Sequence, residues 1–345
     1  MIVLLLLASI VLGTLWAVGR RWYAWIVALE EGRRAEEIRT RASRSKPATR
    51  RLSIVIPAYN EADRLPSVLD ATLAYLVKRR DAEGSSFTYE VIVVDDGSSD
   101  QTSVKAWLCA KRNGAEDAVR TLVLDRNQGK GAAVRCGMLE AAGDLVLMMD
   151  ADGATELAHG LEALEGALYA RACRIRDAKG EHAQSNAGDG LDGTSSASQR
   201  RSAGGYGKLG TQRMAAFGSR AHLEHEEAVI RRTKIRNVAM HGFHMLVFLV
   251  IGGKIRDTQC GFKLFTRRAA FELFSQQRLQ RWCFDVELAF IAQRIGIPIE
   301  EVQVKWQEKE GSKLKFLHVF NMASEMLTIF LTYNLGLWRT RTKLA

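Results

Sequence analysis

Proline is scarce in this chain, with four in 345 residues, too few for polyproline or collagen-like structure. Cysteine is sparse and unpatterned. Cys109, Cys136, Cys173, Cys260 and Cys283 form no CxxC pair, so no structural zinc site is expected. The odd count and loose spacing read as free thiols in a reducing compartment. A G-x-x-x-x-G-K-[ST] run is missing, which excludes a P-loop. The one Gly-Lys-Gly stretch, at Gly129, Lys130 and Gly131, lacks the third glycine of a dinucleotide fingerprint and is not at the first βα turn. Excess charge is confined rather than spread. The net charge is +10, yet residues 20–51 alone hold ten Lys/Arg against four Asp/Glu. So local a basic segment suggests a nearby anionic surface, not a nucleic-acid-binding fold. A chain that is 47% hydrophobic and 26% charged can build a core, which excludes wholesale disorder and coiled coil.

What is present begins with an uncharged run, MIVLLLLASIVLGTLWAVG, over residues 1–19. As a helix it would be about 28 Å long, enough for a thin bilayer core. Arg20, Arg21, Trp22, Tyr23 and Trp25 follow at once, the basic and aromatic signature of an interface. A cleaved signal peptide would carry its positive charge before the apolar run. The expectation is therefore a transmembrane anchor at 1–19, with the bulk of the chain on the cytosolic side. Residues 20–51 are expected to form a basic juxtamembrane stalk, a solvated linker with some adhesion to anionic headgroups.

From Leu52 a strand–helix alternation sets in. LSIVI at Leu52–Ile56, YEVIVV at Tyr89–Val94, Val119–Leu124 and DLVLMM at Asp144–Met149 are short apolar runs rich in branched residues. Runs of this kind read as buried parallel strands. Helical patterns separate them, so the spacing predicts an α/β fold with a doubly wound, mostly parallel sheet over 52–315. Residues 177–208 break the pattern. Leu191 is the one Val, Ile, Leu or Met among them, and so little apolar surface predicts a disordered insertion. Glu224–Arg236 looks helical. His241–Ile251 is apolar but too short to span a bilayer. Residues 316–345 read as an amphipathic segment, either facing a membrane or packing on the domain.

Polar clusters end the strands, at the sheet edge where ligands bind in such folds. Asp150-x-Asp152 can hold a hard divalent cation that keeps waters and substrate phosphate oxygens. Asp95 and Asp96 could hydrogen-bond a base and a ribose. Lys130 is a candidate contact for a diphosphate.

Taken together, IVIPAYNEA, VIVVDDGSSD, NQGKGAAV and MMDADGA resemble the family 2 glycosyltransferases, which have the GT-A fold. Downstream, FGSRAHL (217–223), DTQCGFKLF (257–265), RWCFDVEL (281–288) and W-x-E-x-EGSKL (306–314) are similar to the members that glucosylate dolichyl phosphate. The resemblance covers 52–170 and 214–338. It implies an inverting transfer of glucose from UDP-glucose to dolichyl phosphate at the cytosolic face of the endoplasmic reticulum membrane, supplying glucosylation of the N-glycan precursor. It also implies site residues. Pro57, Tyr59 and Glu61 would line the nucleotide pocket, with Asp95 and Asp96 on uracil and ribose. Asp150 and Asp152 would bind Mg²⁺ or Mn²⁺. Related polyprenyl-phosphate mannosyltransferases can place a Gln ligand two residues on, where this chain has Ala154.

The acceptor is a phosphate monoester with a second pKa of about 6, so it is largely dianionic and needs a cation more than a base. Arg220 and Lys263 are the candidates, with Arg135 and Lys313 behind them. Asp285 could act as a base or as a positioning group, Glu287 reads as structural, and His241 and His244 as core or interface. Two readings compete. One is another polyprenyl-phosphate sugar transferase, for example one using GDP-mannose. The other is a membrane-tethered nucleotide-sugar binder, which intact Asp150, Asp152 and Lys263 argue against. A processive synthase is disfavoured, because no Q-x-x-R-W run follows the acidic motif.

Overall fold

Apolar runs with side chains pointing alternately to two covered faces form the centre of the molecule. The computed structural model describes residues 18–33, 47–178, 209–221, 247–248, 250–253, 255–307 and 317–341. A helix, α1, covers 18–33. Then come β1 (Arg50–Ala58), α2 (Leu65–Glu83), β2 (Tyr89–Asp95), α3 (Thr102–Arg112), β3 (Val119–Val123), α4 (Lys130–Glu140), β4 (Gly143–Met149) and α5 (Leu157–Ala178). β5 (Ala215–Ser219), β6 (Phe262–Thr266), α6 (Arg267–Phe274), α7 (Phe284–Ile295), β7 (Ile299–Gln303) and α8 (Leu317–Asn334) complete the order.

The seven strands lie in the order β3-β2-β1-β4-β6-β5-β7. β3, β2, β1 and β4 are parallel neighbours, as are β5 and β7, while β6 runs antiparallel to both β4 and β5. Val55, Ile92, Val94, Val146 and Met148 pack to one side with α4, α6, α7, α8 and α1. Ile54, Ile56, Val91, Val93, Leu145 and Leu147 pack to the other with α2, α3 and α5. This three-layer arrangement is the expected doubly wound sheet, and the four expected strands are present. β5, β6 and β7 were not expected from their sequences. They are five residues each, and their pairing is set by neighbours far away in the chain.

A buried ion pair ties the second face together. Arg79 on α2 makes a bidentate contact with Glu165 on α5 at 2.9 and 3.0 Å, where charge-assisted geometry offsets desolvation. Thr266 caps α6 by accepting from the Ala269 amide, and α7 stops at Gly296 in the left-handed conformation, the usual terminator for a helix.

The stalk requires a correction. Its first part, α1, is not a solvated linker but is docked on the domain. Ile26, Leu29 and Arg33 are buried. Trp22 Nε1 donates to Thr328 Oγ1 on α8 at 3.2 Å, and Arg33 donates to Glu30 and to the Ser275 carbonyl. Glu30 also accepts from Arg278 at 2.7 Å. The physical reason is the uncharged stretch from Trp22 to Leu29, whose apolar surface is worth more against α8 than in water. The C-terminal helix likewise packs on the domain. Met322, Met326, Ile329 and Tyr333 join the core, while Leu327 on α8 and Leu335 and Leu337 beyond it stay exposed.

The expected anchor lies outside the described residues apart from its last two positions. Among the described residues no helix is long and apolar enough to cross a membrane. Residues 179–208, Glu224–Arg236, His241, His244 and Lys313 also lie outside them. All five cysteines are free thiols.

Candidate active site

The chain runs outward from β1 through β2 to β3, then returns to β4 on the other side of β1. Crossovers that leave in opposite directions open a crevice at the carboxyl ends of β1 and β4. A cleft of about 540 Å³ lies there, a volume suited to a small-molecule ligand. Antiparallel β6 brings its amino-terminal end to the same edge, since Met149 pairs with Phe262.

Of the residues proposed for a nucleotide, Pro57, Tyr59, Glu61 and Asp96 all line the cleft. Glu61 is held by Arg64 at 2.6 and 2.7 Å. Asp96 is buried and accepts from the Gln128 and Gly129 amides at 2.7 and 2.8 Å. Burial pushes its carboxyl up from the usual range, and those two amides oppose the shift. Asp95 does something different. Its carboxylate accepts from the Ser98 amide at 2.8 Å, closing the turn after β2, and it is not among the residues that line the cleft.

Asp150 and Asp152 face the cleft from the end of β4. The Asp150 amide donates to the Gly261 carbonyl at 3.1 Å. A Cβ on Gly261 would lie 2.0 Å from Asp150 Oδ2, so only glycine lets β6 approach this carboxylate. The Asp152 carboxylate accepts from the Ala154 amide at 2.9 Å. Lys130, the first residue of α4, reaches across to Asp150, with its Nζ 2.9 Å from Oδ2 and 2.7 Å from Oδ1. Only the Oδ2 contact has hydrogen-bond geometry, and Oδ1 is a buried acceptor without a donor. Burial works against the Lys130 charge, but Asp150 and Asp285 outweigh it and raise its pKa.

The donor set fits Mg²⁺ or Mn²⁺ in part. Two cleft-facing carboxylates, one with a donorless oxygen, suit a hard cation that completes its shell with water and phosphate oxygens. No group of three or more His, Cys, Asp or Glu that could hold a metal occurs among the described residues.

Lys263 is placed where it cannot meet an acceptor, which corrects the sequence-based expectation. Its side chain is 0% exposed and its Nζ lies 2.7 Å from Asp285 Oδ1. The ammonium also donates to the Cys260 carbonyl and sits over the Phe217 ring. The reason is topological: Lys263 lies on β6 between two paired neighbours, β4 and β5. Asp285, on α7, does line the cleft. Burial raises its pKa, and Lys263 and then Lys130 hold the rise back. Asp285 thus faces the cleft, and the buried Lys263 holds it from behind.

Arg220 lines the cleft as expected. Its guanidinium is bidentate to Asp257 at 2.8 and 3.0 Å and lies 5.3 Å from the Trp306 ring centre. Arg135 is structural, donating to the Phe274 and Arg33 carbonyls. Glu287 is structural too, accepting from the Arg278 and Leu279 amides and from Tyr333. Sequence reasoning missed Arg64, Arg281, Trp282, Trp306 and Met322 as cleft residues. Arg281 and Trp282 belong to the RWCFDVEL run, whose position just ahead of Asp285 was the available signal.

The sequence and fold can be set beside known proteins. Residues 53–164 match the family model described as Glycosyl transferase family 2. The chain is 43% identical over 292 residues to a dolichyl-phosphate β-glucosyltransferase of Homo sapiens, covering 84% of this chain and 78% of that one. The Drosophila melanogaster protein of the same name is 44% identical over 84% of this chain and 77% of its own. The Saccharomyces cerevisiae one is 36% identical over 85% and 78%. Among solved structures, glucosyl-3-phosphoglycerate synthase from Mycobacterium tuberculosis in complex with UDP aligns with a TM-score of 0.48 at 17% identity, covering 82% of this chain and 80% of that one.

Proposed function

The chain belongs to the dolichyl-phosphate β-glucosyltransferases, and from that premise we propose that its cleft transfers glucose from UDP-glucose to the phosphate of dolichyl phosphate. The observation that carries this reading is the convergence of Asp96, Lys130, Asp150 and Asp152 with Arg220, Arg281 and Trp282 on one cleft. The carboxylates and Lys130 suit a nucleoside diphosphate with its cation, and the two arginines and Trp282 suit a second anion with an apolar tail.

In this reading Pro57, Tyr59, Glu61 and Asp96 hold the nucleoside, while Asp95 fixes the turn that presents Asp96. Asp150 and Asp152 would hold Mg²⁺ or Mn²⁺, which when bound offsets charge on the departing diphosphate. Lys130 adds a cation at the same place. The acceptor phosphate oxygen forms its bond to the sugar C1 from the face opposite the diphosphate, whose C1–O bond breaks. Configuration inverts and UDP leaves. The acceptor is already dianionic, so Asp285 need not remove a proton. Its role is a fixed negative charge beside Lys130, held by Lys263.

With Lys263 sealed, Arg220 and Arg281 are the cations for the acceptor phosphate. Arg281 is exposed on the cleft wall, and Trp282, Trp306 and Met322 offer apolar surface to the first isoprene units. The membrane reading extends from this acceptor. Residues 1–19 would anchor the protein with its catalytic domain at the cytosolic face of the endoplasmic reticulum. Exposed Tyr23 and Trp25 on α1 and exposed Leu327, Leu335 and Leu337 near the C-terminus support contact with lipid.

The test is transfer of radiolabel by the purified full chain to dolichyl phosphate, with UDP-glucose and GDP-mannose offered separately. Label in the lipid phase from UDP-glucose is expected. Absence of a lipid product, or preferential transfer of mannose, would refute the assignment.

A further inference from the structure

Lys130 occupies the carboxylate that the metal reading needs. Its Nζ lies within 2.9 Å of both Asp150 oxygens. The base of this side chain is rigidly set. Gly129 has φ 107°, and a Cβ there would lie 2.5 Å from the Gln280 carbonyl oxygen. A Cβ on Gly131 would lie 2.8 Å from both the Leu279 oxygen and Phe284 Cβ. The Gly131 amide also donates to the Arg281 carbonyl at 3.1 Å. The first turn of α4 is therefore pinned against the segment leading into α7, and only the flexible stem of Lys130 can move its charge.

A divalent cation arriving alone at Asp150 and Asp152 would have to share Asp150 with this ammonium. Like charges at such separations repel strongly in a partly buried cleft. A nucleoside diphosphate changes the balance, because it brings two negative charges and several oxygens that can accept from Lys130. Asp285, close enough to act on Lys130 electrostatically, gives the ammonium a second favourable direction.

We propose that Lys130 is an internal competitor for the cation site, releasing Asp150 only when a nucleoside diphosphate arrives, so that divalent metal and nucleotide bind interdependently. The inference rests on the reading of Asp150 and Asp152 as cation ligands. It adds that the affinity for metal alone is deliberately low and that Lys130 sets it. By linkage, metal and nucleotide must raise each other's affinity by the same factor.

The experiment measures Mn²⁺ binding to the detergent-solubilised full chain by electron paramagnetic resonance, with and without UDP, corrected for Mn²⁺ bound by UDP in solution. Wild type should bind Mn²⁺ weakly alone and at least about tenfold more tightly with UDP. Lys130→Met should bind Mn²⁺ alone at least about tenfold more tightly than wild type, and UDP should then add little. Lys130→Arg, which keeps the charge, should behave as wild type. Lys130→Gln serves as the neutral variant if the methionine protein does not fold. UDP-dependent Mn²⁺ binding in wild type together with an unchanged Mn²⁺ affinity in the neutral variant would overturn the competitor role and leave the metal reading intact. No UDP-dependent Mn²⁺ binding in wild type, or the same binding in Asp152→Asn, would overturn the metal reading and this inference with it.

Discussion

Replacing Lys263 by methionine removes one half of an almost fully buried pair. The ammonium is 0% and the Asp285 side chain 5% exposed, and they meet at 2.7 Å. Breaking a buried pair by removing one partner typically costs about 3–5 kcal/mol, because the remaining charge stays desolvated. Lys130 still acts on Asp285 electrostatically, which places the expected loss near the lower end, at about 3 kcal/mol. For a domain of this size that corresponds to a fall of roughly 5–10 °C in Tm. The pH dependence has a defined sign. Burial already raises the Asp285 pKa, and Lys263 is the first group holding it back. Without Lys263 it rises further. A carboxyl whose folded pKa lies above its unfolded value favours the fold below the unfolded pKa and loses that contribution as pH rises through the folded one. The deficit of Lys263→Met should therefore be smallest in acid and grow towards alkaline pH. Adding Asp285→Asn should recover most of the lost stability, since no charge then remains unpaired. Thermal melts of the single and double variants across pH are the assay. A Tm within about 1 °C of wild type, or a deficit that neither pH nor Asp285→Asn alters, would refute the reasoning. Kinetics add a second check: kcat should fall with little change in KM for dolichyl phosphate, and a selective rise in that KM would return Lys263 to the acceptor site.

Three further outcomes are expected. Gly261→Ala puts a methyl 2.0 Å from Asp150 Oδ2 and should displace that carboxylate, lowering transfer at least tenfold (about 1.4 kcal/mol) and weakening UDP-dependent Mn²⁺ binding in the resonance assay. Asp152→Asn should abolish transfer with an unchanged melt, because an amide is a poorer ligand for a hard cation; near-normal turnover in saturating Mn²⁺ would contradict this. Glu30 is pushed up by burial, but Arg33 and Arg278 overcome that and lower its pKa to about 2 from 4.5. Its contribution to docking α1 is thus present above pH 4.5 and lost as pH falls towards 2, and Glu30→Gln should expose α1 to trypsin at neutral pH while wild type resists.

The parallel half of the sheet was legible because its information is local. Four apolar runs with acidic or glycine-rich ends specify strands buried on both faces, and the crossover rule then puts every strand end at one edge. Asp96, Lys130, Asp150 and Asp152 could be named from that alone. β5 to β7 could not, since AAFGS, FKLFT and IEEVQ lack the continuous branched apolar run of a buried strand and their pairing is fixed by neighbours elsewhere in the chain. The same non-locality decided the fate of individual charges. A lysine in a loop-like GFK motif reads as a surface cation, yet β6 inserts between β4 and β5 and takes Lys263 out of water. A basic, Trp-rich segment reads as a membrane stalk, yet α8 offers Trp22 a hydrogen bond and Ile26 a dry face. Burial and pairing are properties of what lies across space. Sequence by itself determined which polar residues stand at the strand ends, and the tertiary structure alone decided which charges reach the cleft and which are paired away from it.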